Sequence, residues 1–70
     1  MMPLIFANIG ENNIIKKITG NAEVKRHLEN LGFVPGGNVS VISANAGNII
    51  VNVKETRVAI SEEMGRRIFV

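Results

Sequence analysis

The sequence predicts a mainly β fold: a small, closed or nearly closed barrel with one α-helix after the first strand and a short helical turn near the C-terminus. Of the hydrophobic residues, 18 are Val or Ile and only three are Leu, and β-branched side chains favour a pleated, half-buried surface. Short alternating apolar runs are separated by tight turns, a pattern typical of small barrels, in which closure removes exposed sheet edges. Without a linker or repeat in the sequence, we expect one domain over residues 1–70.

The first strand and the helix are predicted from apolar spacing and capping residues. Residues 14–18 predict a strand with Ile14 and Ile18 on one face. Asn21 is a suitable N-cap, and Gly32 fits the left-handed position that ends a helix. Between these two residues, apolar side chains recur at helical spacing at Val24, Leu28 and Leu31.

A turn and a three-strand meander follow. Pro35 and Gly36 fit the central positions of a type II turn. Residues 39–44 and 49–54 alternate as the two strands of a hairpin, and residues 56–60 continue the sheet.

The C-terminus is predicted to form a short helical turn and a closing strand. Ser61 is a suitable cap for the helical turn, and Gly65 keeps that turn short. Residues 68–70 are apolar to the last position, which predicts a strand paired into the sheet rather than a frayed tail.

The composition argues against independent catalysis. The chain has no Cys, no Asp, no Tyr and one His, whereas an enzyme needs a nucleophile with a base or an acid and base pair. We therefore expect no enzyme activity and no cofactor. The N-terminal apolar stretch lacks a basic leader and is interrupted by Pro3, so it fits neither a signal peptide nor a membrane span, and we expect a cytoplasmic protein.

Nucleic-acid binding is also not expected. The net charge is only +2, and the eight cations are spread along the chain, whereas phosphate contact needs clustered cations. Base stacking would need exposed aromatic rings. We predict that Phe33 and Phe69, two of the three aromatic residues, are needed inside the core.

One weak metal-binding candidate is present on the predicted helix. Glu23 and His27 are four residues apart, so they share one helical face. Two ligands are too few for a tight site, which normally has three or four. We therefore expect at most weak, adventitious binding of a divalent metal there.

The residues proposed for partner contact are basic. Lys25 and Arg26 lie on the predicted outer face of the helix, opposite its apolar face, and Arg57 lies on the outward face of its strand. A second, apolar surface at residues 1–6 would support weak self-association if this segment does not cover its own barrel.

Glycine, proline and apolar positions recur in a characteristic order along most of the chain. They are Gly10, Ile15, Ile18 and Gly20, then Leu28-x-x-Leu31-Gly32-Phe33-x-Pro35-Gly36-x-x-Val39-x-Val41, then Val51-x-Val53, Arg57-Val58-Ala59-Ile60 and Ile68-x-Val70. This pattern resembles the ferrous iron transport protein A (FeoA) family, and the Leu-Gly-Phe-x-Pro-Gly segment is its most specific part.

The resemblance implies an SH3-like barrel of the cytoplasm that works with a membrane ferrous iron permease carrying a GTPase domain. Gly65 is a departure, because a helix former such as alanine is expected there and glycine predicts a weak last helical turn. The same barrel also resembles the C-terminal domain of metal-dependent transcriptional repressors. Contact with such a repressor is the alternative function, since the chain has no helix-turn-helix of its own.

Overall fold

The computed structural model describes all 70 residues as two small antiparallel sheets around one core, and the prediction of a mainly β fold is confirmed. The elements are a 3₁₀ turn at Leu4–Phe6, β1 at Asn12–Ile14, β2 at Lys17–Ile18, α1 at Ala22–Asn30, β3 at Asn38–Asn45, β4 at Asn48–Val53, β5 at Thr56–Ser61, α2 at Glu62–Gly65 and β6 at Ile68–Phe69. One sheet has the order β1-β3-β4-β5, and β2 pairs with β6 in the other. None of the helices has the length and apolar character needed to cross a bilayer.

The boundaries of α1 are those predicted from its capping residues. The side-chain oxygen of Asn21 accepts a hydrogen bond from the Val24 N–H at 2.8 Å. At the other end Gly32 has φ +109°, and the Phe33 N–H donates to the Leu28 carbonyl at 3.0 Å. This left-handed ending satisfies carbonyls of the last turn and directs Phe33 toward the core.

The two predicted chain reversals are also present. Gly36 has φ +89°, and the Gly37 N–H donates to the Val34 carbonyl at 2.9 Å, as a type II turn requires. The β3–β4 hairpin turns through Ala46 and Gly47, both with positive φ. Two such residues form a type I′ turn, whose twist matches that of the flanking strands.

The predicted continuous strand over residues 14–18 is wrong. β1, which pairs with β3, ends at Ile14, and β2, which pairs with β6, begins at Lys17. The Ile15 N–H donates to the turn that precedes β3, whereas the Lys16 N–H donates to the Phe69 carbonyl of β6 at 2.7 Å. Consequently Ile15 is buried and Ile14 is 48% exposed, whereas Ile18 packs against the core, so Ile14 and Ile18 do not share a face as predicted.

The core is entirely hydrophobic, and no polar side chain is buried. Its members are Leu4, Ile15, Leu28, Phe33, Val39, Val41, Ile49, Val51, Val53, Ile60, Ile68 and Val70. The prediction that Phe33 is a core residue is confirmed, but the same prediction is wrong for Phe69. Phe69 is only partly buried and is not a member of the core. The centre of its ring lies 5.3 Å from Nζ of Lys17.

The two chain ends pair with each other. The Met2 N–H donates to the Val70 carbonyl at 2.9 Å, and the Val70 N–H donates back at 2.8 Å. The predicted closing strand is confirmed as β6. Leu4 is fully buried, so the N-terminal segment covers its own barrel.

The packing around α2 explains the glycine that departs from the family pattern. Ser61 caps this helix as predicted, since its hydroxyl accepts from the Met64 N–H at 3.2 Å. A Cβ at Gly65 would lie 2.5 Å from Cγ2 of Ile5 and 3.0 Å from Cδ1 of Ile49. Glycine at this position therefore permits close contact between α2, the N-terminal 3₁₀ turn and β4.

Candidate partner-binding surface

The exposed face of α1 carries two cations without an internal partner. Lys25 and Arg26 are exposed, whereas Leu28 is fully buried. The molecule has one ion pair, between Arg66 and Glu62 at 3.4 Å. Lys25 and Arg26 are therefore free to pair with acidic groups of another molecule.

These two neighbouring cations line different grooves. The groove at Arg26 has a volume of about 400 Å³, and its other lining residues are Glu23, Val24, His27, Asn30 and Met64. The groove at Lys25 has a volume of about 270 Å³, and its other lining residues are Lys17, Ile18, Glu29, Phe33 and Pro35. A partner that contacts both cations must extend across α1.

Lys17 also belongs to this surface, although the sequence did not identify it. It brings a second cation to the Lys25 groove, where Glu29 is the only acid. Its position is set by the pairing of Lys17 with Phe69 in the β2–β6 ladder, and the ammonium group lies over the ring, an attractive cation–π geometry. Recognising that the last strand pairs with β2 would have placed Lys17 beside this groove.

Arg57 lies elsewhere, on β5, and lines neither of these grooves. It ends a row of polar side chains that crosses all four strands of the larger sheet. The row runs from Asn12 through Ser40 and Asn52 to Arg57. The structure therefore does not bring Arg57 together with Lys25 and Arg26.

A third groove, of about 370 Å³, lies between the N-terminal 3₁₀ turn and the tip of the β3–β4 hairpin. Phe6 lines it and is 66% exposed. Ile5 and Ile49 also line it, and Glu62 and Arg66 add charge. No local pattern in the sequence distinguishes the exposed Phe6 from the buried Leu4, because both belong to one apolar run.

Glu23 and His27 share the Arg26 groove, but no group of three or more His, Cys, Asp or Glu residues is assembled anywhere in the molecule. The neighbouring Arg26 adds a positive charge, which disfavours a cation.

We expect His27→Ala to leave the affinity for ferrous iron unchanged in an anaerobic titration, because His27 has too few co-ligands to hold a metal tightly. Asn30→Ala, in the same groove, is the matched control. A micromolar or tighter affinity that His27→Ala abolishes and Asn30→Ala preserves would contradict this expectation.

The fold has close structural counterparts. A crystal structure of an iron uptake regulatory protein (FeoA) matches with a TM-score of 0.88 and 26% identity, over 96% of this chain and 91% of that one. A zinc-complexed FeoA of Stenotrophomonas maltophilia, described as a prokaryotic SH3 domain protein, has a TM-score of 0.86 and 24% identity over 100% and 89%. A manganese-dependent transcriptional repressor has a TM-score of 0.88 and 18% identity, over 97% of this chain and 39% of the repressor. The molecule is thus an SH3-like domain, as predicted.

The sequence matches define its family. A model of the FeoA domain matches residues 2–70. An Fe(2+) transport protein A of Methanocaldococcus jannaschii is 33% identical over 70 residues, which cover 100% of this chain and 85% of the relative. The chain belongs to the FeoA family.

Proposed function

We propose that this protein is a cytoplasmic accessory factor of ferrous iron uptake that docks onto a membrane ferrous iron permease carrying a GTPase domain. The FeoA-domain match over residues 2–70 carries the proposal, because it spans every strand and helix of the fold. The names of two relatives, an Fe(2+) transport protein and an iron uptake regulatory protein, support the same process.

A docking role agrees with the chemistry of the surface. Lys25 and Arg26 are exposed and unpaired, and each lies at a groove that is lined by both apolar and polar side chains. Interfaces combine apolar contact with charges that orient the partner and increase the rate of association. The complementary surface on the permease would place acidic residues beside small apolar ones.

Reversing both helix charges should reduce ferrous iron uptake. We expect the double variant Lys25→Glu, Arg26→Glu to restore at most about a tenth of the wild-type uptake in a deletion strain, because two like-charge contacts typically cost several kcal/mol at an interface. Co-purification with the permease from membranes should fall in parallel.

The matched control is the double variant Lys16→Glu, Lys54→Glu. It makes the same change in net charge at two exposed residues that line neither the Lys25 groove nor the Arg26 groove. Circular dichroism should show both double variants folded. Arg57→Glu separately tests the remaining candidate contact. Wild-type uptake and co-purification of a folded α1 variant would refute the placement of the contact on α1.

Contact with a metal-dependent transcriptional repressor is the second candidate. It is favoured by the structural match to one domain of a manganese-dependent repressor, which supports a shared fold. Purification of the protein with its bound partners separates the two proposals, because the permease stays with the membrane fraction and a repressor does not. Recovery of a repressor without the permease would favour this second function.

A further inference from the structure

One long sheet edge is open. β5 pairs only with β4, and Val53 pairs with Thr56 next to a two-residue turn. In a hairpin of this type, Thr56 and every second residue after it direct their N–H and C=O groups to the partner strand. Arg57 and Ala59 therefore direct theirs away from the sheet, and no other backbone group of the molecule bonds to them.

The other edges of the two sheets are protected and β5 is not. β1 has three residues and β2 has two, and the N-terminal segment that pairs with β6 carries Pro3. Short length and proline both hinder pairing with another chain. β5 has six residues, with no proline, no lysine and no bulge.

We propose that β5 is the pairing strand of a symmetric homodimer, in which the β5 strands of two copies lie antiparallel with Ala59 on the two-fold axis. In this register the two Ala59 residues exchange their outward N–H···O bonds, and each Arg57 lies opposite Ser61 of the second copy. The two four-stranded sheets become one continuous sheet.

The side chains along β5 are complementary to themselves in this register. Ala59 is small and exposed, so two backbones can approach at the axis. On the next strand Ile50 pairs with Ala59 and is 38% exposed, so the dimer aligns an apolar row across the axis. Arg57 has no ion pair in its own copy, and it comes beside the acidic start of α2 in the other, at Glu63 and at Glu62, which also pairs with Arg66. Opposite charges that meet at an interface help to fix its register, and symmetry provides the contact twice.

Sedimentation equilibrium over micromolar to millimolar protein tests this dimer without iron, nucleotide or permease, so its outcome is independent of the proposed transport function. The wild type should show reversible association from monomer to dimer. Ala59→Pro should lower the association constant at least about tenfold, equivalent to roughly 1.4 kcal/mol, because proline removes the outward N–H at the axis and leaves the bonds to β4. If Ala59→Pro does not fold, Ala59→Lys should weaken association similarly, as an edge lysine does.

Cross-linking tests the register. The chain has no cysteine, so Ala59→Cys introduces a single thiol on the proposed axis. A hydrogen-bonded antiparallel pair has Cα atoms about 5.5 Å apart, within the range of a disulfide. Ala59→Cys should form covalent dimers faster than Asn30→Cys on α1. A wild type that is monomeric throughout, normal association of folded Ala59→Lys, or equal cross-linking of the two cysteine variants would overturn the proposal.

Discussion

Phe33→Ala is expected to lower the free energy of unfolding by about 3–5 kcal/mol. The ring is 1% exposed and is one of the largest fully buried side chains, so its removal loses apolar burial and leaves a cavity in the core. A chain of this length has a total stability of roughly 4–10 kcal/mol. Urea denaturation followed by circular dichroism should therefore show a marked loss of folded protein.

Phe33→Leu is the matched control for that substitution. It keeps a large apolar side chain at the same position, and we expect a cost below about 1.5 kcal/mol. The N–H of residue 33, which donates to the Leu28 carbonyl, is unchanged in both variants. If Phe33→Ala lowered the free energy of unfolding by less than about 1 kcal/mol, the prediction that this ring is a major stabilising part of the core would be contradicted.

The parts of the fold that were predicted from sequence depend on bonds between close neighbours. Asn21 caps α1 through a residue three positions later, and Ser61 caps α2 in the same way. The Gly32 helix ending and the turn at Gly36 follow from backbone angles that favour glycine. Residue type and spacing contain this local information, so these features could be placed without knowledge of the rest of the chain.

The break in the first strand could not be predicted in this way. Ile14 and Ile15 are adjacent and both apolar, so alternation alone cannot decide which one faces the core. The decision comes from partners far along the chain. Ile15 bonds to the turn before β3, and Lys16 bonds to Phe69 in β6. Together these partners turn Ile15 inward and leave Ile14 exposed.

The candidate partner-binding surface was likewise predictable only where it depends on local sequence. Helical periodicity was sufficient to place Lys25 and Arg26 outside, because Leu28 fixes the buried face of α1. The addition of Lys17 to the Lys25 groove depends on the β2–β6 pairing, which joins the two ends of the chain. The open edge at Ala59 likewise depends on sheet order, which residue type does not specify.

Gly65→Ala is expected to destabilise the protein by about 1–2 kcal/mol, even though alanine is the better helix former. The gain in helix propensity is at most about 1 kcal/mol. Overpacking of a core typically costs about 1–3 kcal/mol, and here the new methyl would lie 2.5 Å from Cγ2 of Ile5. That atom can move away only if χ1 of Ile5 changes, and a β-branched side chain strongly prefers a single χ1 rotamer. In a domain this small, the melting temperature should fall by about 4–8 °C per kcal/mol.

The Ile5→Ala background separates the clash from any other effect of Gly65→Ala. Ile5→Ala removes the methyl group that the new Cβ would contact, so adding Gly65→Ala there should cost less than in the wild type, with a coupling energy of at least about 0.5 kcal/mol. Simple additivity, or a wild-type background stabilised by Gly65→Ala, would contradict the packing explanation. If the coupling is found, contact with the N-terminal 3₁₀ turn accounts for glycine in α2, and the first residues of the chain are part of the folded unit.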